Sequence, residues 1–462
     1  MLRATGASVV RARVRSLGAG GVALEVWDTA GVPVLTVESF RSRPVDAGRL
    51  SVGGGAGLLH GVEWRGAGVS AGAAAGSVVG SVVEFGLGGL PGEVPAVGVL
   101  RVPAEAAHGV VPDVHEVAGG VLEAVQGWLA DERLTESTLV VVVPEPAGEA
   151  GLVVAPVCGL VRSVQAEVPG RVVLVRGEAS AEVVASLAGL GEPEVRVRDG
   201  LVEVPRLVRL KPVAAGAEAA GARPARAGGT VLVTGGSGGV GGALARHLVV
   251  EHAVASLLLV SRSGRVEPEL RQELEALGAV VEAVACDVSD RAALGRVVEA
   301  AGVLRGVVHA AGVLDDGLFG ALTRERVSGV LRSKADAAWY LHELTAGMDL
   351  EFFVLCSSGA AVVDAVGQAN YAAGNVFLDA LAEFRVGAGL PGLSVQWGLW
   401  SGVGGMGERL SAADRERIAR GGLPGLSPAE NLAAFDAALA SGVPVVMPVR
   451  VDRQALRTRP DG

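Results

Sequence analysis

The apolar positions of this chain fall into short runs rich in Val and Leu, separated by longer amphipathic stretches. Short runs bounded by Gly, Pro or charge read as strands, and the longer periodic stretches read as helices. Near the N-terminus, Ser8–Val14, Val22–Trp27 and Val34–Ser39 carry a strand period, and Gly18–Gly21 and Asp28–Gly31 read as turns. They predict an antiparallel meander over residues 1–56, small for an independent fold. From 57 to 212, strands are expected at Pro95–Arg101, Thr138–Val143, Arg171–Val175 and Val202–Leu210, with helices at Val114–Asp131 and Ala155–Glu167. Alternating strand and helix implies an α/β fold with a parallel sheet. Residues 213–229 lack apolar periodicity and read as a linker. The alternation resumes over 230–450. Strands are expected at Thr230–Val233, Ser256–Val260, Val280–Ala285, Gly306–His309, Glu351–Cys356, Leu393–Trp397 and Pro444–Pro448, and helices at Ala243–Val250 and Arg324–Leu344. Gly-rich Ser401–Leu410 and the charged amphipathic Ser411–Ala419 suggest a lid. Residues 451–462 read as a tail.

Composition narrows the class. The 462 residues suit about three domains of ~150 residues or two large ones. An apolar share of 50%, a charged share of 19% and a mean hydropathy of +0.44 describe a core-rich globular chain. The net charge of -10 argues against nucleic-acid binding. No apolar run is expected to reach the ~20 residues of a membrane span, and no signal peptide follows Met1-Leu2-Arg3. Cys158, Cys286 and Cys356 lie in apolar segments without metal-ligand spacing, so reduced thiols, no metal and a cytoplasmic location are expected. Among the forty basic residues only Lys211 and Lys334 are lysines. In so Arg-rich a chain, a retained lysine points to a need for the compact ammonium.

The chemistry concentrates in the second half. Thr234-Gly235-Gly236-Ser237-Gly238-Gly239-Val240-Gly241 follows a strand and opens a helix, so its backbone N–H groups and helix dipole suit a dinucleotide pyrophosphate. Ser261-Arg262 ends the next strand, where an arginine accommodates a 2′-phosphate, so NADPH is expected. Asp287, before Val288, suits the adenine amino group or a helix cap. Ala310-Ala311-Gly312 are small enough for a cofactor to lie against backbone. His309 reads as a strand-end hydrogen-bonding residue. In the first half, the strand ends run into Val102-Pro103-Ala104-Glu105 and Pro144-Glu145-Pro146. Proline removes a donor and glutamate repels phosphate, so a nucleotide-binder architecture without a binding loop is expected. Tyr371 opens an Ala-rich helix after the strand ending in Ser358, and Asn375 lies one turn on, on the same face. A phenol near a hydroxyl and a cation suits proton donation to a carbonyl oxygen.

Jointly these motifs resemble the ketoreductase domain of a modular type I polyketide synthase, within the short-chain dehydrogenase/reductase superfamily. They are the glycine loop, Leu259-Val260-Ser261-Arg262, His309 to Asp316, Lys334 to Trp339, Ser357-Ser358, Gly367 to Asn375 and Trp397-Gly398-Leu399-Trp400. The resemblance implies two Rossmann-like subdomains. Residues 57–212 would be a truncated structural relative, 230–450 the catalytic part, and 1–56 trailing strands of a dehydratase fold. It assigns catalysis to Tyr371, Ser358, Lys334 and Asn375. Most short-chain reductases place the lysine four residues after the tyrosine; Asn375 stands there, and the lysine comes from the earlier helix. It implies that NADPH, held by the loop and by Ser261, Arg262, Asp287, Val288, Ala310, Ala311, Gly312, Tyr371 and Lys334, reduces a β-ketoacyl chain. That chain would be phosphopantetheine-bound on an acyl carrier protein, among neighbouring synthase domains, with neither nucleic acid nor membrane as partner. Leu314-Asp315-Asp316 matches the B-type motif, giving a D-hydroxy product. Val363 replaces the tryptophan of A-type members, Ala373 replaces the proline of epimerising B-type members, and Gln368 lies between them. Val362–Val366 departs from the usual Gly/Ser/Pro-rich run. A redox-silent NADPH-binding or scaffolding domain and a free-standing reductase are the alternatives.

Overall fold

The computed structural model describes residues 10–18, 21–41, 55–70, 80–211, 229–363, 365–401 and 421–457. The expected linker and lid lie outside the described residues, apart from the linker's last residue, Gly229, and the lid's first, Ser401. The chain divides into two compact units, Met1–Gly53 and Gly54–Gly462.

In the first unit, β1 (Val10–Gly18), β2 (Gly21–Asp28) and β3 (Pro33–Arg41) form the expected antiparallel meander. Its β2–β3 turn is local chemistry. Asp28 Oδ1 accepts from the N–H groups of Ala30 and Val32, and Gly31 takes φ +85°.

The second unit begins with a 3-10 turn, Gly55–Leu58, and β4 (Leu59–Ser70). Then follow β5 (Val82–Phe85), β6 (Val97–Arg101), α1 (Val110–Ala130), β7 (Thr138–Val143), α2 (Glu149–Glu167), β8 (Val172–Gly177), α3 (Ala181–Leu187), β9 (Glu194–Arg198) and β10 (Leu201–Arg209). After the linker come β11 (Thr230–Thr234), α4 (Gly239–His252), β12 (Ser256–Ser261), α5 (Pro268–Ala276), β13 (Val280–Ala285), α6 (Arg291–Ala300) and β14 (Leu304–His309). The chain continues through α7 (Arg324–Leu331), α8 (Ala337–Thr345), β15 (Phe352–Ser358), α9 (Ala369–Gly387), β16 (Leu393–Trp397), α10 (Pro428–Leu439), β17 (Val445–Pro448) and α11 (Arg453–Arg457).

All strands of this unit join one 14-stranded sheet, in the order β13-β12-β11-β14-β15-β16-β17-β4-β10-β9-β8-β7-β6-β5. Strands β11 to β17 are parallel, and their order reverses between β11 and β14. Such a reversal splays the flanking connections apart and opens a crevice at the carboxyl edge. Strands β5 to β9 are also parallel, but they follow in sequence without reversal, and a cavity lies at the carboxyl ends of β6 to β9. The two halves meet edge to edge where β17 pairs antiparallel with β4, Met447 opposite His60.

Several expectations need correction. Strands β4, β5 and β9 were not anticipated, because short or polar strands resemble loops. Residues 55–56, assigned to the tail, pack on α10; a Cβ at Gly55 would collide with the Ala433 carbonyl. The expected helix Arg324–Leu344 is interrupted by a π-turn over Arg332–Asp336, where Ala337 N–H reaches back to Arg332 O. Helix α4 begins at Gly239, so the loop glycines build its first turn. The C-terminal tail contains α11. Helix α2 does have the length and apolarity of a membrane span, but it lies in the core against α9 and α1.

Candidate active site

The crevice is lined first by the glycine loop. Gly235 takes φ +68°, and a Cβ there would lie 2.8 Å from the Ala310 carbonyl and the Ala311 nitrogen. A Cβ at Gly241 would lie 2.3 Å from Gly235 O, and one at Gly238 would lie 2.6 Å from Glu267 Oε1. Thr234 Oγ1 accepts from Ala311 N–H at 3.2 Å and meets His309 Nδ1 at 2.8 Å, which ties β11 to β14 beneath the loop. Burial, then the Lys334 ammonium, push the His309 imidazole down to about 3, against weaker raising contributions from nearby backbone. A neutral, strand-anchored imidazole is a poor base near pH 7. Ser261 closes β12, and Arg262 beside it is exposed. Asp287 Oδ1 accepts from Ser289 N–H and hydroxyl at 3.0 and 2.7 Å. Those bonds, Ser289's hydroxyl first, hold its carboxyl below the ordinary range. Asp287 thus closes a turn ahead of α6, and the helix cap expected of it is supplied by Asp290 instead. Val288 is buried, whereas Ala310 and Ala311 are half-buried. The backbone N–H groups of the cradle, with α4's N-terminus behind them, suit a dinucleotide phosphate, and the Glu267 carboxylate beside Gly238 is a like charge at its rim.

On the other side of the crevice lie β15 and α9. Lys334 is 4% exposed, and its ammonium donates to Asn375 Oδ1 at 2.8 Å and to Cys356 O at 3.0 Å. It lies 5.0 Å from the centroid of the Tyr371 ring. Asn375 Nδ2 donates to Tyr371 O at 2.9 Å, which fixes the amide with its oxygen toward the lysine. The π-turn carries Lys334 inward, and π-turns inside helices recur at functional sites. Gly312 and Gly374 wall the slot; Cβ atoms there would lie 3.1 Å from Lys334 Cε and 3.3 Å from its Cβ. Ser358 ends β15, and its Oγ accepts from Ala360 N–H at 3.2 Å, capping the following turn. Lys334, Tyr371 and Asn375 are thus in mutual contact, with Ser358 two residues beyond the Cys356 carbonyl that the lysine engages.

Comparison with known proteins gives this geometry a family. A profile described as "KR domain" matches residues 229–402. Another, "Polyketide synthase extender module SpnB, Rossmann fold domain", matches residues 62–207. The solved "Structure of A-type Ketoreductases from Modular Polyketide Synthase" has a TM-score of 0.75 at 30% identity, covering 88% of this chain and 97% of that one. The chain belongs to the ketoreductases of modular polyketide synthases. A ketoreductase from the first module of phoslactomycin biosynthesis in Streptomyces sp. HK803 has a TM-score of 0.70 at 29% identity, covering 87% of this chain and 96% of that chain. Polyketide synthase GfsA of Streptomyces halstedii is 44% identical over 99% of this chain but only 6% of its own length. Polyketide synthase GfsE from the same organism is 44% identical over 99% of this chain and 12% of its own length. The chain therefore spans a small part of these synthases. A Rossmann-fold ketoreductase implies a nicotinamide cofactor and oxidoreductase chemistry.

In this ketoreductase the Leu314-Asp315-Asp316 loop is docked on the start of α9. Arg326 forks onto Asp315 through Nε and Nη2 at 3.0 and 2.7 Å and also donates to the Asp316 carbonyl. Arg326 holds the Asp315 carboxyl below the ordinary range. Asn370 Nδ2 donates to Asp315 O at 2.7 Å, and Gln368 Nε2 to Asp316 Oδ2 at 3.0 Å. Leu314 and Val363 are half-buried and Ala373 is fully buried; Asp364 lies outside the described residues.

Sequence reasoning placed no functional residue in the first half. There a cavity of about 810 Å³ opens beside Val102, Pro144 and Pro146. Its Arg101 pairs with Glu84 at 2.9 Å, and its Arg198 shares Glu145 with Arg176, at 3.6 and 2.6 Å. The first half instead contributes contacts to the crevice. His115 of α1 reaches buried Asp336 in the π-turn at 2.9 Å. The chain gives no separate signal for this, because His115 sits between Asp113 and Glu116 at the polar start of the helix.

Proposed function

We propose that this ketoreductase uses NADPH to reduce a β-ketoacyl thioester on acyl carrier protein to the D-β-hydroxyacyl thioester, as a B-type enzyme without epimerisation. One observation carries the reading. The Lys334 ammonium bonds the Asn375 amide and lies 5.0 Å from the centroid of the Tyr371 ring, beside the carboxyl ends of β14 and β15. The residues that would hold the dinucleotide are Thr234 to Gly241, Ser261, Arg262, Asp287, Val288, Ala310, Ala311 and Gly312, with Tyr371 and Lys334. When bound, it supplies the reducing electron pair to the β-carbon.

The chain's own part is proton control. Tyr371 gives its phenolic proton to the developing alkoxide. Ser358 accepts from Ala360 N–H, which leaves its O–H to donate to the same oxygen. Two of the three Lys334 donors are spent on Asn375 and Cys356, leaving one for a ribose hydroxyl, while its charge stabilises phenolate. Asn375 holds the lysine in place and lies where a water chain would resupply the proton. The Leu314-Asp315-Asp316 loop and the absence of tryptophan at Val363 favour the B-type assignment, and Ala373 favours no epimerisation. The meander β1 to β3 fits the trailing strands of a dehydratase fold, and a cytoplasmic synthase is the setting this implies.

NADPH absorbance followed with a β-keto diketide thioester, with chiral analysis of the product, tests the proposal. Steady consumption and a D-hydroxy product are expected. An L-hydroxy product contradicts the B-type assignment, and no consumption favours a redox-silent scaffold.

A further inference from the structure

We propose that helix α2 of the first half is the template on which the substrate-side wall of the active site is set, with Glu167 as its main positioning residue. The inference rests on the reductase reading. Gly159, Arg162, Ser163 and Glu167 lie in the helix at spacings of three, four and eight from Gly159, so they share one face. Each meets the segment between Ser358 and Tyr371 or its flanks. Arg162, held by a two-pronged pair with Glu194 at 2.8 and 2.7 Å, donates to Ala361 O at 2.7 Å. Ser163 is fully buried and donates to Ala365 O at 2.6 Å.

Glu167 spans the cleft. One carboxylate oxygen accepts from Gly367 N–H at 3.0 Å, the other from Phe319 N–H at 2.8 Å. Phe319 follows the Leu314-Asp315-Asp316 loop, and Gly367 precedes Tyr371. Gly317 N–H also bonds Gly367 O at 2.8 Å, so both walls are joined at the carboxylate. At Gly159 the helices touch backbone to backbone: a Cβ there would lie 2.5 Å from the Ala372 carbonyl carbon, directly after Tyr371. The half without a cradle thus fixes Ala361, Ala365, Gly367 and Ala372 in turn. No residue of this stripe touches the glycine loop, so its role is to place substrate rather than cofactor.

The test uses the whole chain with Glu167→Ala, Glu167→Gln and Ser163→Ala. Loss of the carboxylate strands two N–H groups, so KM for the diketide thioester should rise about tenfold and the minor enantiomer should increase. The NADPH dissociation constant should stay within about twofold, because the cradle keeps its contacts. Glu167→Gln keeps one acceptor and should fall between wild type and Glu167→Ala. Amide exchange should accelerate at Phe319 and Gly367, a readout that stands even if wild type proves inactive on the thioester. Wild-type KM, enantiomer ratio and exchange in Glu167→Ala overturn the proposal. So does a parallel loss of NADPH affinity and thermal stability, which marks general destabilisation.

Discussion

Lys334 and Asn375 show how one residue can occupy a familiar place while another does its work. Asn375 sits one turn after Tyr371 and spends its amide on holding the lysine that approaches from the π-turn. Rarity made Lys334 legible, since arginine fills almost every other basic position, and a scarce tyrosine did the same for Tyr371. The slot explains why arginine does not serve. Gly312 and Gly374 leave Lys334 no lateral room, and a planar guanidinium needs more width. Lys334→Arg should therefore lose about 10²–10⁴-fold in kcat, the range typical of a displaced acid–base partner; near wild-type turnover would disprove the tight slot. Arg262 makes the opposite case, exposed and placed only by its position after β12. Arg262→Glu should weaken NADPH far more than NADH, measured by binding titration. Equal losses would remove it from the phosphate role.

At the scale of elements, legibility followed burial. Strands inside the parallel sheet, such as Val231–Val233 and Leu257–Val260, are covered on both faces and read as unbroken apolar runs. Strand β4 carries His60, Glu63, Arg65 and several glycines, so only its pairing with β10 and β17 reveals it. The π-turn was illegible for another reason: an extra residue shifts the apolar phase by about 100°, but Lys334 to Trp339 are buried throughout, which hides the shift. Helix α9 holds a second buried group, Asp379, which accepts from Ser394 Oγ at 2.6 Å and Gln396 Nε2 at 2.7 Å. Burial pushes its carboxyl up to about 6, against the lowering effect of those donors. The folded state therefore binds the extra proton between the ordinary carboxylate value and about 6. Its contribution to stability is greatest below that window and is lost as pH rises through it. Asp379→Asn should flatten this part of the melting-temperature profile between pH 4 and 7; an unchanged profile would contradict the burial argument.

For the molecule as a whole, the sequence supported two α/β halves but not their fusion into one sheet. The β17–β4 seam joins segments almost 390 residues apart, and no local pattern encodes such a pairing. The strand order adds a reason for the division of labour. Reversal between β11 and β14 splays the connections of one half, while the sequential order of β5 to β9 gives the other no switch point. The half without the reversal braces the half that has it, through α2 and through His115 and Asp336. Within the second unit, Asp436 on α10 accepts from His247 and His252 of α4 at 2.7 and 2.8 Å, securing the helix that begins at the glycine loop.

The most direct measurement compares wild type with Tyr371→Phe, pairing turnover of a β-keto thioester with NADPH affinity. Removing one hydroxyl should abolish reduction while leaving the dissociation constant for NADPH within about twofold, because the cradle and Lys334 remain in place. Reduction at close to the wild-type rate would show that the proton comes from elsewhere and that this crevice has been misread.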